Sequence, residues 1–393
     1  MKSVTVQNLP VNSFLDMPVF LDEHYILITP DIPVTQELKQ RLQKWGYKSV
    51  STDGSPVESP PMQDKDGDEG GSVGAAPATA VLESNIKEQQ HREAAKDFFL
   101  ECAGFLQEVF DIYLERNIIN INTITENVKE MITFVKENRK YILRFNELVS
   151  SDHNQIVVQS IKTAIVALVL AEVLKLPVFK QIEVGIAGLL HDIGMLRIPA
   201  AIYMKKDALS PEEKKAIITH PVIGFRALKE VEFPMPISRA VLEHQEKENG
   251  TGYPRGLTGD KISFYAKILA VASSYVAIVS DRPYRDAVDG HAGIMDLLKN
   301  SGKQYDEQII RVLVFTLSIY PIGTFVLLSN GSQGIVIETN PKNPKFPVVK
   351  LLMSEDGVSF KEQPVLNTRD GDNGIFVIRP LTNNEIQDLQ NTV

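Results

Sequence analysis

Four of the chain's seven histidines, His153, His191, His220 and His244, fall inside one stretch of helical pattern. The second is followed directly by Asp192, and a glycine-rich segment, Gly250-Thr-Gly-Tyr-Pro-Arg-Gly256, lies just past the fourth. Imidazole nitrogens and a carboxylate gathered from successive helices form a ligand set for divalent zinc, iron or manganese. Adjacent residues on a helix point about 100° apart. His191 and Asp192 can therefore serve neighbouring positions, and a carboxylate can bridge two ions. Two such ions bring the pKa of a shared water to about 7 and clamp an in-line phosphoryl displacement. Glycines alongside let a backbone approach a ligand closely. A lone histidine in a helix is ordinarily packing or surface; four of them with an acid carry the case.

The rest of the sequence must position these groups. A chain of 393 residues predicts two to four units. Its 43% apolar content supports a sizeable core. A net charge of -9 argues against broad binding to nucleic acid polymers or anionic membrane. It leaves room for a small anionic ligand near a local basic cluster. The single cysteine, Cys102, excludes a disulfide within the chain and fits a reducing compartment. Its neighbours Phe98, Phe99, Phe105 and Leu106 mark it as a buried apolar residue rather than a nucleophile. The most apolar run, Ile165 to Leu174, contains Glu172 and falls short of the roughly 20 residues that span a bilayer. A buried core helix, no membrane span and a cytoplasmic location are expected.

The pattern along the chain predicts a multidomain, mainly α protein. Residues 1–52 read as a small α/β module, with strand signals at Val4–Val6 and Tyr25–Ile28 and a helical stripe of Leu38, Leu42 and Trp45 ending at Gly46. Residues 53–92 read as a flexible acidic linker rich in Gly and Pro. Residues 93–320 read as helices. Phe98, Cys102, Phe105, Val109 and Ile112 recur at helical spacing, as do Val128, Met131, Ile132 and Val135. Asp152 is placed to cap the helix of His153. Ser210-Pro-Glu-Glu213 is a capping-box pattern opening the helix of His220, and Ser238 is placed to cap the helix of His244. Residues 321–393 read as a small β-rich tail whose first hairpin turns at Asn330-Gly331.

Several of these segments, taken in order, resemble the HD-GYP family, a branch of the HD phosphohydrolases. They are Leu189-Leu-His-Asp-Ile-Gly194, Leu196-Arg-Ile-Pro199, Leu209-Ser-Pro-Glu-Glu213, His220-Pro-Val-Ile-Gly224, Gly250 to Leu257, and Ser280-Asp-Arg-Pro-Tyr-Arg285. The resemblance covers roughly half the chain. The N-terminal module and the tail opening Tyr320-Pro-Ile-Gly-Thr-Phe-Val326 also resemble segments flanking this domain in bacterial relatives. It implies an HD-type helical bundle and hydrolysis of cyclic di-GMP, a bacterial second messenger. It also implies two divalent metals: iron, manganese or zinc. By position, His153, His191 and Asp192 would hold one ion, and Asp192, bridging, with His220 and His244 the other. Gly252, Tyr253, Pro254 and Arg255, in the loop that names the family, would bind the substrate. Arg282 and Arg285 would face the ligand's phosphates, for which a planar guanidinium fork is suited.

The chain departs from that pattern at six places. Met195 stands where the family places a lysine near phosphate. Gln245 replaces the second of two adjacent histidines, and Asn249 replaces an aspartate at the start of the loop. Ser273 and Val276 replace two aspartates on a later helix. Val149 stands where some members carry an acid for a third metal. These changes remove ligands and charge from one site; one lost phosphate contact to a charged donor costs roughly 1.5–3 kcal/mol. The expected function is a diverged, weakly catalytic or non-catalytic protein of cyclic di-GMP signalling. It would bind metal or nucleotide, act through protein partners, and could form a homodimer. The alternatives are an active two-metal phosphodiesterase yielding linear pGpG or GMP, and an interaction module that binds neither metal nor nucleotide.

Overall fold

The computed structural model describes the chain apart from residues 1, 12, 18, 21–25, 29–33, 45–47, 58–77, 146–147, 149–153, 206, 281–289, 341, 370–373 and 393. Two compact units, Met1–Ala78 and Thr79–Val393, divide it. The first contains β1 (Lys2–Thr5), β2 (Phe14–Leu15), β3 (Val19–Phe20), β4 (Ile26–Ile28), α1 (Gln36–Lys44), β5 (Ser49–Thr52) and β6 (Pro56–Val57). One sheet runs β1-β5-β3-β4, and β2 pairs with β6 apart from it. Val6, Leu9, Leu15, Val19, Val34, Leu42 and Val50 form its core. The strand patterns near Val4 and Ile26 correspond to β1 and β4. The two-residue strands are too short to show any alternation in sequence. Leu42 is buried as expected of the α1 stripe, while Trp45 and Gly46 lie outside the described residues.

The second unit opens with α2 (Ala78–Arg116), which starts well inside the stretch read as linker. No Gly or Pro occurs between Pro77 and Gly104, and Glu, Lys, Gln, Arg and Ala dominate that stretch. Those are strong helix formers. Residues 58–77 of the linker lie outside the described residues. Phe99, Cys102, Leu106, Val109, Phe110 and Tyr113 form the buried stripe of α2, and Ile112, expected in it, is exposed. α3 (Ile121–Ile142) follows, capped by Asn120, whose Oδ1 accepts from the Asn122 amide at 2.9 Å.

α4 (Gln155–Val173) is the central helix, buried on every side from Ser160 to Ala171. By length and composition it could cross a membrane, yet 78% of its apolar window is enclosed by protein. α5 (Val178–Leu190), a 3-10 turn (Ile193–Arg197), α6 (Ala200–Tyr203), α7 (Pro211–Ile218), α8 (His220–Glu230) and α9 (Met235–Glu243) follow. α10 (Phe264–Val279), α11 (Gly290–Lys299) and α12 (Glu307–Leu317) complete the helical domain. α4 packs against α3, α5, α10 and α12.

Two expected caps change, and a third forms on a shorter helix than expected. Asn154, not Asp152, caps α4, its side chain accepting from the Ile156 amide at 2.9 Å. Ser238 lies inside α9, bonded back to the Phe233 and Pro234 carbonyls, because the helix already starts at Met235 behind Pro234. The Ser210–Glu213 capping box forms, but α7 stops at Ile218 and His220 opens α8. Pro221 is the reason: without an N–H it cannot bond the Ile217 carbonyl and carry α7 onward.

The tail contains β7 (Phe325–Leu328), β8 (Gln333–Glu338), β9 (Val348–Met353), β10 (Val365–Asn367), β11 (Val377–Pro380) and α13 (Asn383–Thr392). The sheet runs β10-β9-β8-β7-β11, with all neighbours antiparallel. Gly331 takes φ +80° in the β7–β8 turn, as the Asn-Gly pair predicts. α13 was not evident in the sequence; Leu389 is buried against Leu352 and Leu381.

A Cβ on Gly194 would stand 2.0 Å from the His220 carbonyl oxygen and 2.8 Å from the Gly224 nitrogen. The 3-10 turn after Asp192 thus lies in backbone contact with α8. Gly194→Ala should destabilise the helical domain by about 1–3 kcal/mol, read as a lower urea midpoint. Gly104→Ala, whose Cβ would meet nothing within 4 Å, should hold or raise that midpoint. Equal midpoints for the two variants would contradict this account of the contact.

Candidate functional site

His191, His220 and His244 each stand where a helix ends: α5, α7 and α9 respectively. The last carbonyls of a helix have no donor within it. Here the imidazoles supply one. His191 Nδ1 bonds the Gly188 carbonyl at 2.8 Å, His220 Nδ1 the Ile217 carbonyl at 2.7 Å, and His244 Nδ1 the Val241 carbonyl at 2.8 Å. A carbonyl only accepts, so each Nδ1 carries a proton and each ring turns its Nε2 toward the site. The Ile217 carbonyl is the one that Pro221 leaves open.

All three Nε2 atoms converge on Asp192. His191 Nε2 lies 3.3 Å from Oδ2, and His220 Nε2 and His244 Nε2 lie 3.2 and 3.5 Å from Oδ1. His220 Nε2 and His244 Nε2 are 3.2 Å apart. Two bare nitrogens at that separation repel unless a proton or a metal ion lies between them. With bonds of about 2.0–2.1 Å, two ligands of one tetrahedral ion stand about 3.3 Å apart. Asp192 Oδ1, His220 Nε2 and His244 Nε2 therefore match one face of such a tetrahedron. Donor atoms of His191, Asp192 and His244 also lie within 4.8 Å of one another. The three helix C-termini add partial negative charge around the same point.

The electrostatics agree with a cation site. Burial opposes the Asp192 charge, but His191, first by its charge and then with His220 and His244 by contact, holds the carboxyl well below its usual range. Burial pushes His244 down to about 4, against the pull of Asp192. Its ring is therefore neutral near pH 7. Burial lowers and Asp192 raises the affinity of His191 for a proton, with a net upward shift.

The loop from 249 to 258 is tied to α9 by two acids that sequence reasoning missed. Glu243 and Glu246 are 0% and 1% exposed. Glu246 accepts from the amides of Arg255 at 2.7 Å and Leu257 at 2.8 Å. Glu243 accepts from the Ser263 amide at 2.8 Å and from Arg239 at 2.9 Å, and it pairs with the Arg255 guanidinium. The signal was available: two acids bracketing His244 at the end of an apolar helix, beside a segment full of amide donors. A Cβ on Gly252 would lie 2.4 Å from the Lys247 nitrogen and 2.5 Å from the Gln245 oxygen, so only glycine fits. Asn249 keeps an acceptor for the turn: its Oδ1 receives the Thr251 hydroxyl at 2.7 Å. The Tyr253 ring stands edge-on to His220, centroids 6.2 Å apart, and burial followed by the Asp192 charge raises its pKa. Tyr253 and Pro254 are half-buried.

Asp192 also forms part of the wall of a 510 Å³ cavity. Met195, Ile156, Tyr203 and Ile217 give it apolar surface, and Gln155, Gln159, Lys205 and Lys214 give it polar atoms. Of the residues expected at the site, the fold brings together His191, Asp192, His220, His244 and Tyr253. Arg255 is instead engaged with Glu243. Ser273 is half-buried on α10, and Val276, one turn on, is buried. Gln245 is half-buried, its carbonyl accepting from the Tyr253 amide at 3.2 Å. His153, Val149, Arg282 and Arg285 lie outside the described residues.

Comparison with known proteins gives two family matches. Residues 144–309 match the HD domain, and residues 325–389 match the KOW domain associated with HD domain. The cyclic di-GMP phosphodiesterase PdeB of Borreliella burgdorferi is 27% identical over 339 residues, 79% of this chain and 86% of that protein. A cyclic di-GMP phosphodiesterase of Pseudomonas aeruginosa is 31% identical over 286 residues, 72% of this chain and 66% of that protein. An HDG"Y"P protein from Bdellovibrio bacteriovorus aligns in three dimensions at 16% identity with a TM-score of 0.46, covering 79% of this chain and 97% of that one.

Glu246→Ala would leave the amides of Arg255 and Leu257, each in a part-buried bond, without their acceptor, at a cost of about 1–3 kcal/mol. A lower melting temperature and new proteolytic cleavage between residues 250 and 257 are expected. Glu246→Gln, which keeps one acceptor oxygen, should lose less. An unchanged melt and cleavage pattern in the alanine variant would contradict the anchoring role.

Proposed function

From its membership of the HD-GYP branch of the HD-domain family, we propose that this chain is a diverged member that binds a divalent metal and cyclic di-GMP. It hydrolyses the nucleotide slowly or not at all and signals through protein partners in the cytoplasm. The observation that carries this reading is the unequal ligand supply around Asp192. Oδ1 shares a three-donor face with His220 and His244. Oδ2 meets only His191 among the described residues, and α10 offers the neutral Ser273 and apolar Val276 where the family pattern has acids.

Divalent ions, when bound, supply an activated water and neutralise phosphodiester charge. This chain's residues determine how much of that is usable. Asp192 keeps its negative charge at any physiological pH and divides it between two sets of imidazoles. His244 stays neutral and presents its lone pair. Tyr253 keeps its phenolic proton and can donate it toward a phosphate oxygen. Met195 presents a thioether where an ammonium would stabilise negative charge. The scaffold therefore supports binding better than hydroxide generation, which needs a defined geometry at both ions.

A second reading, an active phosphodiesterase releasing pGpG or GMP, draws on one observation. The two oxygens of Asp192 face different imidazoles, as a bridging ligand requires. Hydrolysis of cyclic di-GMP with manganese or iron, assayed beside the Pseudomonas aeruginosa relative, separates the two. A rate at least about 100-fold lower is expected, on the scale of ligand-shell losses. Calorimetry of the metal-loaded protein should still show cyclic di-GMP binding. A rate equal to the relative's overturns the first reading in favour of the second, and a protein that binds no cyclic di-GMP overturns both.

A further inference from the structure

We propose that Lys214 anchors a phosphate of the bound nucleotide at the rim of the cavity beside Asp192. This rests on the cyclic di-GMP reading above and names the residue that would confer anion recognition. The charged groups bordering the cavity are Asp192, Asp207, Lys205 and Lys214. Lys205 is committed: its Nζ lies 2.9 Å from both oxygens of Glu213. Glu213 is committed in turn, accepting also from the Ser210 amide at 2.7 Å in the capping box of α7. Lys214 is the next residue along. Among the described residues it has no ion pair and no side-chain hydrogen bond, although Asp207 borders the same cavity.

An uncommitted ammonium therefore borders a mostly apolar cavity whose wall includes a metal-ligand carboxylate. That carboxylate leaves the cavity without net charge: two lysines face two aspartates. A divalent cation at Asp192 would turn the balance positive and favour an anion. A phosphodiester has two non-bridging oxygens. With one directed to the cation side, the other is open to an ammonium on a flexible stem, the geometry that lysine serves best. Tyr203 with Ile156 and Ile217 offers apolar surface for a flat base. Met195, on the same wall as Asp192, brings no charge. The positive charge that recognises phosphate would thus come from α7 rather than from the turn after Asp192.

Calorimetry with cyclic di-GMP on the full-length, metal-loaded protein tests this. Lys214→Gln should weaken binding about tenfold, the scale of one charge-assisted hydrogen bond. It should also flatten the salt dependence of the affinity. Lys214→Arg should restore most of both. The melting temperature should stay at the wild-type value, because the side chain is exposed and has no partner to lose among the described residues. Lys215→Gln, on the same helix but not bordering the cavity, should bind as wild type. Wild-type affinity in Lys214→Gln, or equal weakening in both glutamine variants, overturns the assignment while the cyclic di-GMP reading stands. No binding by the wild-type protein overturns that reading and this one with it.

Discussion

The imidazole–carbonyl hydrogen bond, made at the end of each of three helices, is the constraint on which the site depends. A helix must end with carbonyls that lack donors. At α5, α7 and α9 a histidine fills that need from its own side chain. Three things follow from one bond. The helix end is satisfied, a proton is fixed on Nδ1, and the opposite nitrogen is aimed at the site. Because the three ends meet at Asp192, local helix chemistry and the proposed metal chemistry share the same atoms. Removing a histidine would therefore open a helix end as well as a ligand position.

Around that centre the protein has kept scaffold and lost charge. Buried Glu243 and Glu246 still tie the glycine-rich loop to α9, and Asn249 still holds its turn through an amide oxygen. Gly252 remains where no side chain fits. By contrast Met195, Gln245, Ser273 and Val276 each place a neutral group where the family pattern has a charged or ligating one. Packing and hydrogen bonding of the loop tolerate those four exchanges, because the one bond they give it, from the Tyr253 amide to the Gln245 carbonyl, is made by backbone. On the proposed reading catalysis is the property most exposed to them, since a two-metal hydrolysis needs charge and geometry at both ions, whereas binding needs only part of each.

Much of this was legible in sequence. Helical periodicity located the central helices, and β-branched runs with an Asn-Gly turn located the tail's first hairpin. The order of motifs pointed to the convergence of His191, Asp192, His220 and His244 before any coordinates. What failed has physical causes. The start of α2 lay hidden because the preceding Gly- and Pro-rich composition masked a run of good helix formers. Ser238 looked like a cap by residue type, but Pro234 had already started the helix. His220 was assigned to α7 because the consequence of Pro221 for the helix before it was not drawn. The pairing of Arg255 with Glu243 was not legible either, since that partner is visible only once the loop folds back. Lys214 directly follows the Leu209–Glu213 segment on α7, but nothing in the sequence showed that this helix borders a cavity beside Asp192.

Anomalous diffraction from crystals of the full-length protein grown with zinc or manganese tests the central claim most directly. The predicted result is an ion about 2.0–2.2 Å from Asp192 Oδ1, His220 Nε2 and His244 Nε2, with weaker density beside Asp192 Oδ2 and His191. No ion at that three-donor face, or stronger density on the His191 side, would contradict it.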